Sequence, residues 1–518
     1  PLDCSRFEMA STLAEALGEA NPDASLVREL CLKEGTVADE LRGKLWQVLL
    51  GVYNKRANLE VWGDNDLSAE DQQTIKADVI RTRQTIPLFK TPQVQADLEK
   101  LLTVYCKRRS VKYTQGLNEL IAPFFLLELE TGAIFNSFYA LMQKYLPNML
   151  RGHDLKTLRR GLEMLTLLLR YHEPDLERRL QDSGIRPDLY ATSWLVTLFA
   201  GDSSIPVVLV LWDAILIRED PFFVYFVALA LLRANKDMLM AADDADLAEI
   251  TRPQLKIKSP EDVQKVVTLA DEFDRETPKS FRRYLYRATV QNEANSDIDE
   301  FLKTALCITL PANELAPDSS GVKFFAVDTR PYALFAKAAL PTSVNLDLGA
   351  LEGDVLNTKL DSLQSSLSGQ HICVVGADGD GMAEQAVNLL LDRRFPRLSM
   401  LDQGFSACVA LFEKGELEMV SDLGMVDVSD TRPEGGGAFS GFPQLLSGLG
   451  PSHTHNGPSP EHTVDVADVA ERMRDMQTES LKRAKEVYSA VQSDPRVQQA
   501  AEKTKEKAKQ WGQKGMGF

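Results

Sequence analysis

The sequence predicts a multidomain chain: an all-helical domain, then a small α/β domain with a parallel sheet, then a flexible linker and C-terminal helices. Three observations predict it. The 518 residues, 44% of them hydrophobic, exceed what one core organises, since domains run to roughly 150 residues each. Apolar residues recur at helical spacing from about residue 8 to residue 290. Beyond residue 303 short apolar runs alternate with helical segments, until glycine, proline and serine take over at 429.

The helical part spans 8–300. Leu158, Leu162, Leu165, Leu168 and Leu169 fall on one face at spacings of three and four. Prolines at 123, 147, 174, 187, 206 and 221 punctuate the pattern at intervals suited to helices of about 8 to 20 residues. The longest apolar run, Pro221 to Leu232, has 12 residues, short of the ~20 that cross a bilayer, and predicts a buried core helix. The acidic stretch Ala241 to Glu249 and the segment Gln291 to Asp299 hold few apolar residues and read as solvated connectors.

The α/β part spans 303–420. Val322 to Val327 and His371 to Gly376 read as buried parallel strands, with Leu398 to Leu401 a third and Met382 to Arg394 a helix before it. Residues 429–461, rich in glycine, proline and serine, read as a disordered linker. Charged C-terminal helices are predicted over 462–518, broken at Ser493, Asp494 and Pro495, a cap followed by a proline suited to the first helical position. From 472 to 514 that tail carries 11 basic against six acidic residues. Peripheral contact with an anionic membrane is one reading; a solvated or partner-bound helix is the plainer one.

Composition excludes several classes. A net charge of −17 argues against a nucleic-acid partner, because a polyanion is repelled wherever basic residues are not concentrated. Cys4, Cys31, Cys106, Cys307, Cys373 and Cys408 are scattered without a CxxC pair and suggest reduced thiols in the cytoplasm. His153 and His172 stand alone, and His453, His455 and His462 lie in or beside the linker, so no metal site is expected. The first residues, PLDCSRFEMA, lack the basic and apolar regions of a signal peptide.

Two segments carry spacing suited to chemistry. In Ile75 to Arg81 (IKADVIR), residues three apart share a helix face, so Asp78 pairs with Arg81 and holds its guanidinium while Ile75 anchors the helix. The plainer reading is a surface ion pair worth at most ~1 kcal/mol. In Tyr113 to Asn118 (YTQGLN), an extended or loop segment would aim Tyr113 and Gln115 at one partner while Gly116 turns the chain. A positioned glutamine amide can orient an attacking water. Just upstream, Lys107, Arg108, Arg109 and Lys112 form a basic cluster, either a partner-binding patch or solvated charge.

These segments sit in order among LRGKLW (Leu41 to Trp46), SWLVTLF (Ser193 to Phe199), LWD (Leu211 to Asp213) and PFFVYFVALALL. Over about residues 35 to 240 the set resembles the TBC domain family of Rab GTPase-activating proteins. The resemblance implies an arginine finger at Arg81 and a glutamine finger at Gln115, with Asp78, Tyr113 and Asn118 as supports. It implies a Rab-family small GTPase as partner, and no cofactor of the chain's own, since GTP and Mg belong to that Rab. FFAVDTRP (Phe324 to Pro331) and ALPTSVNL (Ala339 to Leu346) resemble a rhodanese-like domain. The family's catalytic cysteine would fall at Gly376 or Ala377; Cys373 lies within the strand, so no sulfurtransferase activity is expected.

The combination is similar to the TBC domain family member twenty-three subgroup, which implies vesicle traffic from endosomes to the Golgi. Two function classes therefore stay open: a Rab GTPase activator, and an inactive tethering adaptor linking a golgin-type tether to endosome-derived vesicles at the trans-Golgi network. Retention of Asp78, Arg81, Tyr113 and Gln115 favours activity. The chain's ending in short helices, without the further folded domain of animal members, leaves the adaptor's second partner in question.

Overall fold

The computed structural model describes residues 13–428, apart from 58, 60–67, 151–154, 251–253, 292–295, 318, 320 and 424. The expected linker and C-terminal helices lie outside the described residues, as do Cys4 and His153. The chain divides into two compact units between Thr309 and Leu310.

The first unit is helical. Its principal helices are α1 (Ala24–Glu34), α2 (Asp39–Leu49), α3 (Ala69–Arg81), α4 (Pro92–Arg109), α5 (Leu117–Ile121), α6 (Thr131–Tyr145), α7 (Lys156–His172), α8 (Thr192–Thr197), α9 (Ile205–Arg218), α10 (Phe223–Ala234), α11 (Pro260–Arg275), α12 (Lys279–Thr289) and α13 (Ser296–Thr304). The five leucines read as one stripe are all buried in α7. Helix α10 is buried from Phe223 through Leu232, the interior helix the apolar run predicts. Among the described residues, no helix is long and apolar enough to cross a membrane.

Helix α3 shows how sequence sets an end. The Ser68 hydroxyl accepts the Asp71 amide at 3.0 Å, satisfying one of the donors a helix start leaves open. Glu70 and Asp71 in its first turn and Arg81 in its last suit the helix dipole. Ile75 and Val79 are buried and fix which face points inward.

The motifs LRGKLW and LWD meet in the interior. The Arg42 guanidinium donates from Nε to both Asp213 oxygens at 2.9 and 3.1 Å, and the Trp46 indole donates to the same carboxylate at 2.6 Å. Around them the rings of Trp46, Phe124 and Trp212 pack with centroids 5.5 to 5.8 Å apart. Burial pushes the Asp213 carboxyl up to about 6, against the pull of Arg42 and Trp46. These residues hold the fold together; they offer nothing to a partner.

Two expected connectors are ordered instead. Within 241–249 the chain forms a helix, Asp244–Ile250, whose start is capped by the Asp243 carboxylate on the Asp246 amide. Leu247 is wholly buried, and Asp244 pairs with Arg179 at 2.6 Å. The second, from Ser296, is the start of α13: Ile298 is buried and Asp299 pairs with Arg160 and Lys156 at 2.6 and 2.7 Å. The hydrogen bond from Arg160 draws the Asp299 carboxyl down to about 2. One apolar anchor and a few ion pairs suffice where composition suggested solvation.

The division falls within β1 (Ile308–Leu310), which joins β2 (Phe324–Asp328), β3 (Ser343–Asn345), β4 (His371–Val375) and β5 (Leu398–Leu401) of the second unit in a five-stranded sheet of order β1-β5-β4-β2-β3. β2 runs parallel to β3 and β4, and β4 parallel to β5. Helices α14 (Tyr332–Lys337), α15 (Gly353–Ser366), α16 (Met382–Asp392) and α17 (Gly404–Phe412) connect and follow the strands. Cys373 lies at the centre of β4, paired with Ala326 and Ser399 and fully buried, so it is core. Within FFAVDTRP, Arg330 is buried, donating to Asp328 at 2.6 Å and to the Ala338 carbonyl at 2.6 Å, with its guanidinium 3.2 Å over the Phe405 ring.

The loop after β4 closes on itself. A Cβ at Gly376 would stand 2.8 Å from the Ala383 methyl, and one at Gly404 would stand 2.4 Å from the Asp378 carboxylate. The Asp380 carboxylate accepts the Met382 amide at 2.9 Å, at the N-terminus of α16. Asp378 and Asp380 thus bring negative charge to the place where an anion-binding loop would present amides.

Candidate functional site

The candidate site forms where the end of α3 meets the start of α5. Arg81 extends from the last turn of α3 with 66% of its side chain exposed, while the Asp78 side chain is only 4% exposed. The Arg81 guanidinium donates from Nη2 to Asp78 Oδ1 at 2.6 Å, and its Nε donates to the Ala77 carbonyl at 3.2 Å. The cation is therefore open to solvent at its tip and tethered at two points on its own helix.

Asp78 ties α3 to the segment before α5. Its second oxygen accepts the Tyr113 hydroxyl at 3.0 Å. Burial, and next the Asp78 carboxylate, push the Tyr113 phenol well above its ordinary range, so it keeps its proton and donates. The Asn118 side chain reaches back from α5, its amide donating to Thr82 Oγ1 at 2.9 Å and its oxygen accepting the Gly116 amide at 3.2 Å. Thr82 in turn donates to the Asp78 carbonyl at 2.7 Å. Asp78, Thr82, Tyr113 and Asn118 thus form one buried polar network in which each member has a partner.

Gln115 is exposed two positions beyond Tyr113, and among the described residues its side chain makes no hydrogen bond. Tyr113 and Gln115 do not face one partner together, as expected of an extended or loop segment. Tyr113 is 8% exposed and serves the interior; Gln115 sits in the turn that Gly116 completes with a φ of 107°. Gly116 is required twice: its backbone is left-handed, and a Cβ there would stand 3.0 Å from the Thr197 methyl of α8. The sharp turn sends the glutamine outward on the same join that holds Arg81.

The basic cluster is largely spent inside the fold. Lys107, Arg108 and Arg109 are half-buried and Lys112 is exposed. The Arg108 guanidinium lies 5.2 Å from the Phe135 ring centroid and that of Arg109 6.0 Å from Tyr139, with Arg109 also donating to the Pro147 carbonyl at 3.3 Å. They clamp the end of α4 onto α6.

Two residues outside the motifs belong to the join. Arg83 lies two positions past Arg81, and its Nη1 donates to the Ser203 carbonyl at 2.7 Å. Its Nε stands 2.7 Å from Glu119 Oε2 on α5, an ion pair without the alignment of a straight hydrogen bond. No local spacing announces them, since the chain positions involved lie 36 to 120 apart.

Among the described residues, no group of three or more His, Cys, Asp or Glu could hold a metal ion. His172 is core, its Nε2 2.7 Å from Thr277 Oγ1 and its ring against Phe273.

Residues 39–240 match the Rab-GTPase-TBC domain and residues 312–411 the Rhodanese-like domain. The TBC domain-containing protein kinase-like protein of Gallus gallus is 24% identical over 416 residues, which cover 71% of this chain and 46% of the relative. The protein of that name from Dictyostelium discoideum is 27% identical over 383 residues, covering 71% and 35%. The chain thus spans less than half the length of these relatives. Among solved structures, the Ypt/Rab-GAP domain of Gyp1p is 17% identical, with a TM-score of 0.45, covering 52% of this chain and 98% of that one.

Proposed function

We propose that this chain, which carries a Rab-GTPase-TBC domain and a rhodanese-like domain, binds a GTP-loaded Rab and stimulates its hydrolysis with Arg81 and Gln115. A TBC domain implies Rab-GAP-related function and a Rab GTPase as partner. The observation that carries the finer reading is the tethered arginine: an exposed guanidinium at 2.6 Å from a buried carboxylate that is itself fixed by the Tyr113 hydroxyl. Such a cation reaches a partner's phosphates with its orientation already set, so the charge that develops in phosphoryl transfer meets a prepared donor. Gln115, presented by the Gly116 turn, supplies an amide that can orient water. GTP and Mg are the partner's; the chain contributes two side chains.

The trafficking setting, endosome-to-Golgi transport with peripheral attachment at the trans-Golgi network or endosome-derived vesicles, is proposed from the motif resemblance. So is capture of a golgin-type tether, the role left if the fingers are idle. Engagement of Arg108 and Arg109 with Phe135 and Tyr139 leaves that tether less of the expected basic patch.

Single-turnover GTP hydrolysis across a Rab panel tests the reading. Stimulation by the wild-type chain, lost by roughly 10³-fold or more in Arg81→Ala and sharply reduced in Gln115→Ala with Rab binding intact, is expected. A panel in which no Rab responds while a golgin peptide is retained transfers the function to the adaptor.

A further inference from the structure

We infer that Arg83 is a positioning residue for this site: its guanidinium fastens the end of α3 to α5 and to the loop after α8, and so sets where Arg81 stands relative to Gln115. The inference rests on the finger reading above and adds a residue that no motif contains.

Three observations carry it. Arg83 has a left-handed backbone, φ 46°, which a side chain other than glycine rarely adopts. Such strain persists only where the surroundings determine it, and it collects at functional joins. Its side chain is 12% exposed, and its fork serves three groups in two elements: Nη1 to the Ser203 carbonyl at 2.7 Å and Nη2 to the Ala200 carbonyl of one loop, and Nε against Glu119 Oε2 of α5 at 2.7 Å. A single cation is thus shared by two backbone carbonyls and one carboxylate.

The third observation is that these contacts close a ring through Gln115's own turn. The loop that Arg83 grips is anchored by the Gly201 amide donating to Thr197 Oγ1 at 2.9 Å. Thr197 is the residue whose methyl a Cβ at Gly116 would meet at 3.0 Å. Glu119 sits on α5 with its amide bonded to the Gly116 carbonyl at 3.0 Å. One path therefore runs from Arg81 through Thr82 and Arg83 to the 200–203 loop, Thr197 and Gly116. The other runs through Asp78 and Tyr113. Two independent struts fix the position of one residue relative to another; one strut alone leaves a hinge.

Burial raises the Glu119 carboxyl and Arg83 opposes that shift, consistent with a partner whose charge the carboxylate needs. Lysine does not replace the fork, because a point charge on a flexible stem does not hold two backbone carbonyls and pair with a carboxylate at once.

The test uses the full chain with Arg83→Lys, which keeps the charge, and Arg83→Ala. On a Rab that the wild type stimulates, Arg83→Lys is expected to lower the saturated rate by about tenfold to a hundredfold, the scale of an ångström-sized misplacement. KM for the GTP-loaded Rab should stay within about threefold of wild type, as expected when binding shared by ground and transition state is kept. Association with the GDP–aluminium fluoride form of that Rab should be lost in parallel with the rate. Amide exchange in 113–118 should speed up while α10 stays as in the wild type. An unchanged rate, a loss confined to KM, or unaltered exchange in 113–118 overturns the role of Arg83. A wild-type chain that stimulates no Rab overturns the finger reading itself, an outcome distinct from an active wild type beside an equally active Arg83→Lys.

Discussion

Replacing Asp78 with asparagine separates orientation of the arginine from its presence. The side chain keeps its size, but one of its two oxygens becomes an amide nitrogen. In the native site Oδ1 accepts Arg81 and Oδ2 accepts Tyr113. The amide can accept on one side only. Tyr113 is buried, and an unsatisfied buried hydroxyl costs about 1–3 kcal/mol; Arg81 is 66% exposed and can turn to water. With its oxygen toward Tyr113 the amide turns its own donors to Arg81 and releases the guanidinium; with its oxygen toward Arg81 its nitrogen donates to the Tyr113 hydroxyl, which keeps Asn118 Oδ1 as an acceptor at 3.4 Å, and the tether loses its charge. The exchange removes the buried charge and leaves its exposed partner to water, so the cost should stay near that of a solvent-facing pair, about 0–1 kcal/mol, and the fold should survive. Catalysis should not survive intact. An untethered arginine holds roughly 2 kcal/mol of rotamer entropy, which must then be surrendered at the transition state. At ~1.4 kcal/mol per tenfold, Asp78→Asn should lower stimulated hydrolysis up to about 30-fold, against roughly 10³-fold or more for Arg81→Ala. Single-turnover hydrolysis and a thermal melt measure both quantities. A rate equal to wild type, a loss as deep as Arg81→Ala, or destabilisation beyond about 3 kcal/mol would refute the tether argument.

Other outcomes follow from the same structure. Arg42→Met should destabilise the helical unit by about 3–5 kcal/mol, because it strands the buried Asp213 carboxylate; a melting temperature within a degree or two of wild type would contradict this. Gly116→Ala, strained at φ 107° and pressed on Thr197, should cost roughly 1–3 kcal/mol and depress stimulated hydrolysis more than Rab binding, a split read from kcat and KM. In the α/β unit, burial and then Arg397 press the His371 imidazolium down to about 4 from 6.5. The unfolded chain then binds that proton more readily, so the contribution is whole above about pH 6.5 and lost as pH falls toward 4. The protection of β4 and β5 amides, measured relative to the unfolded-chain exchange rate at each pH, should fall over that window in wild type and less in His371→Phe; an equal fall would count against it. Lys112→Glu should weaken a salt-sensitive partner contact more than Arg109→Glu does without unfolding, because only Lys112 of the pair is exposed; equal effects in folded variants would discard the distinction.

Much of this was legible in the chain. Ile75, Asp78 and Arg81 are related by helical spacing alone, and α7 and α10 announce themselves by their apolar faces. β2, β4 and β5 are apolar runs of four or five residues, whereas β1 and β3 have three each, too short for any period to register. The inward turn of Tyr113 is invisible because it depends on where Asp78 stands, 35 positions earlier. Arg83 and Glu119 are hidden for the same reason: what makes them matter is a loop at 200–203 that folding brings to them. The helices read as connectors were missed because one buried side chain, Leu247 or Ile298, does the anchoring that composition counts over a whole window.

The closed loop after β4 has a practical meaning for anyone wishing to place a thiol there. Installing cysteine at position 376 alone would drive its first carbon into Ala383, 2.8 Å away, before the sulfur found any room. Position 377 avoids that collision yet stands one and three residues before Asp378 and Asp380. Seating a reactive thiol there would take a rebuilt turn, with both acidic side chains exchanged and the start of α16 recapped; the obstacle is architectural, wider than one missing atom.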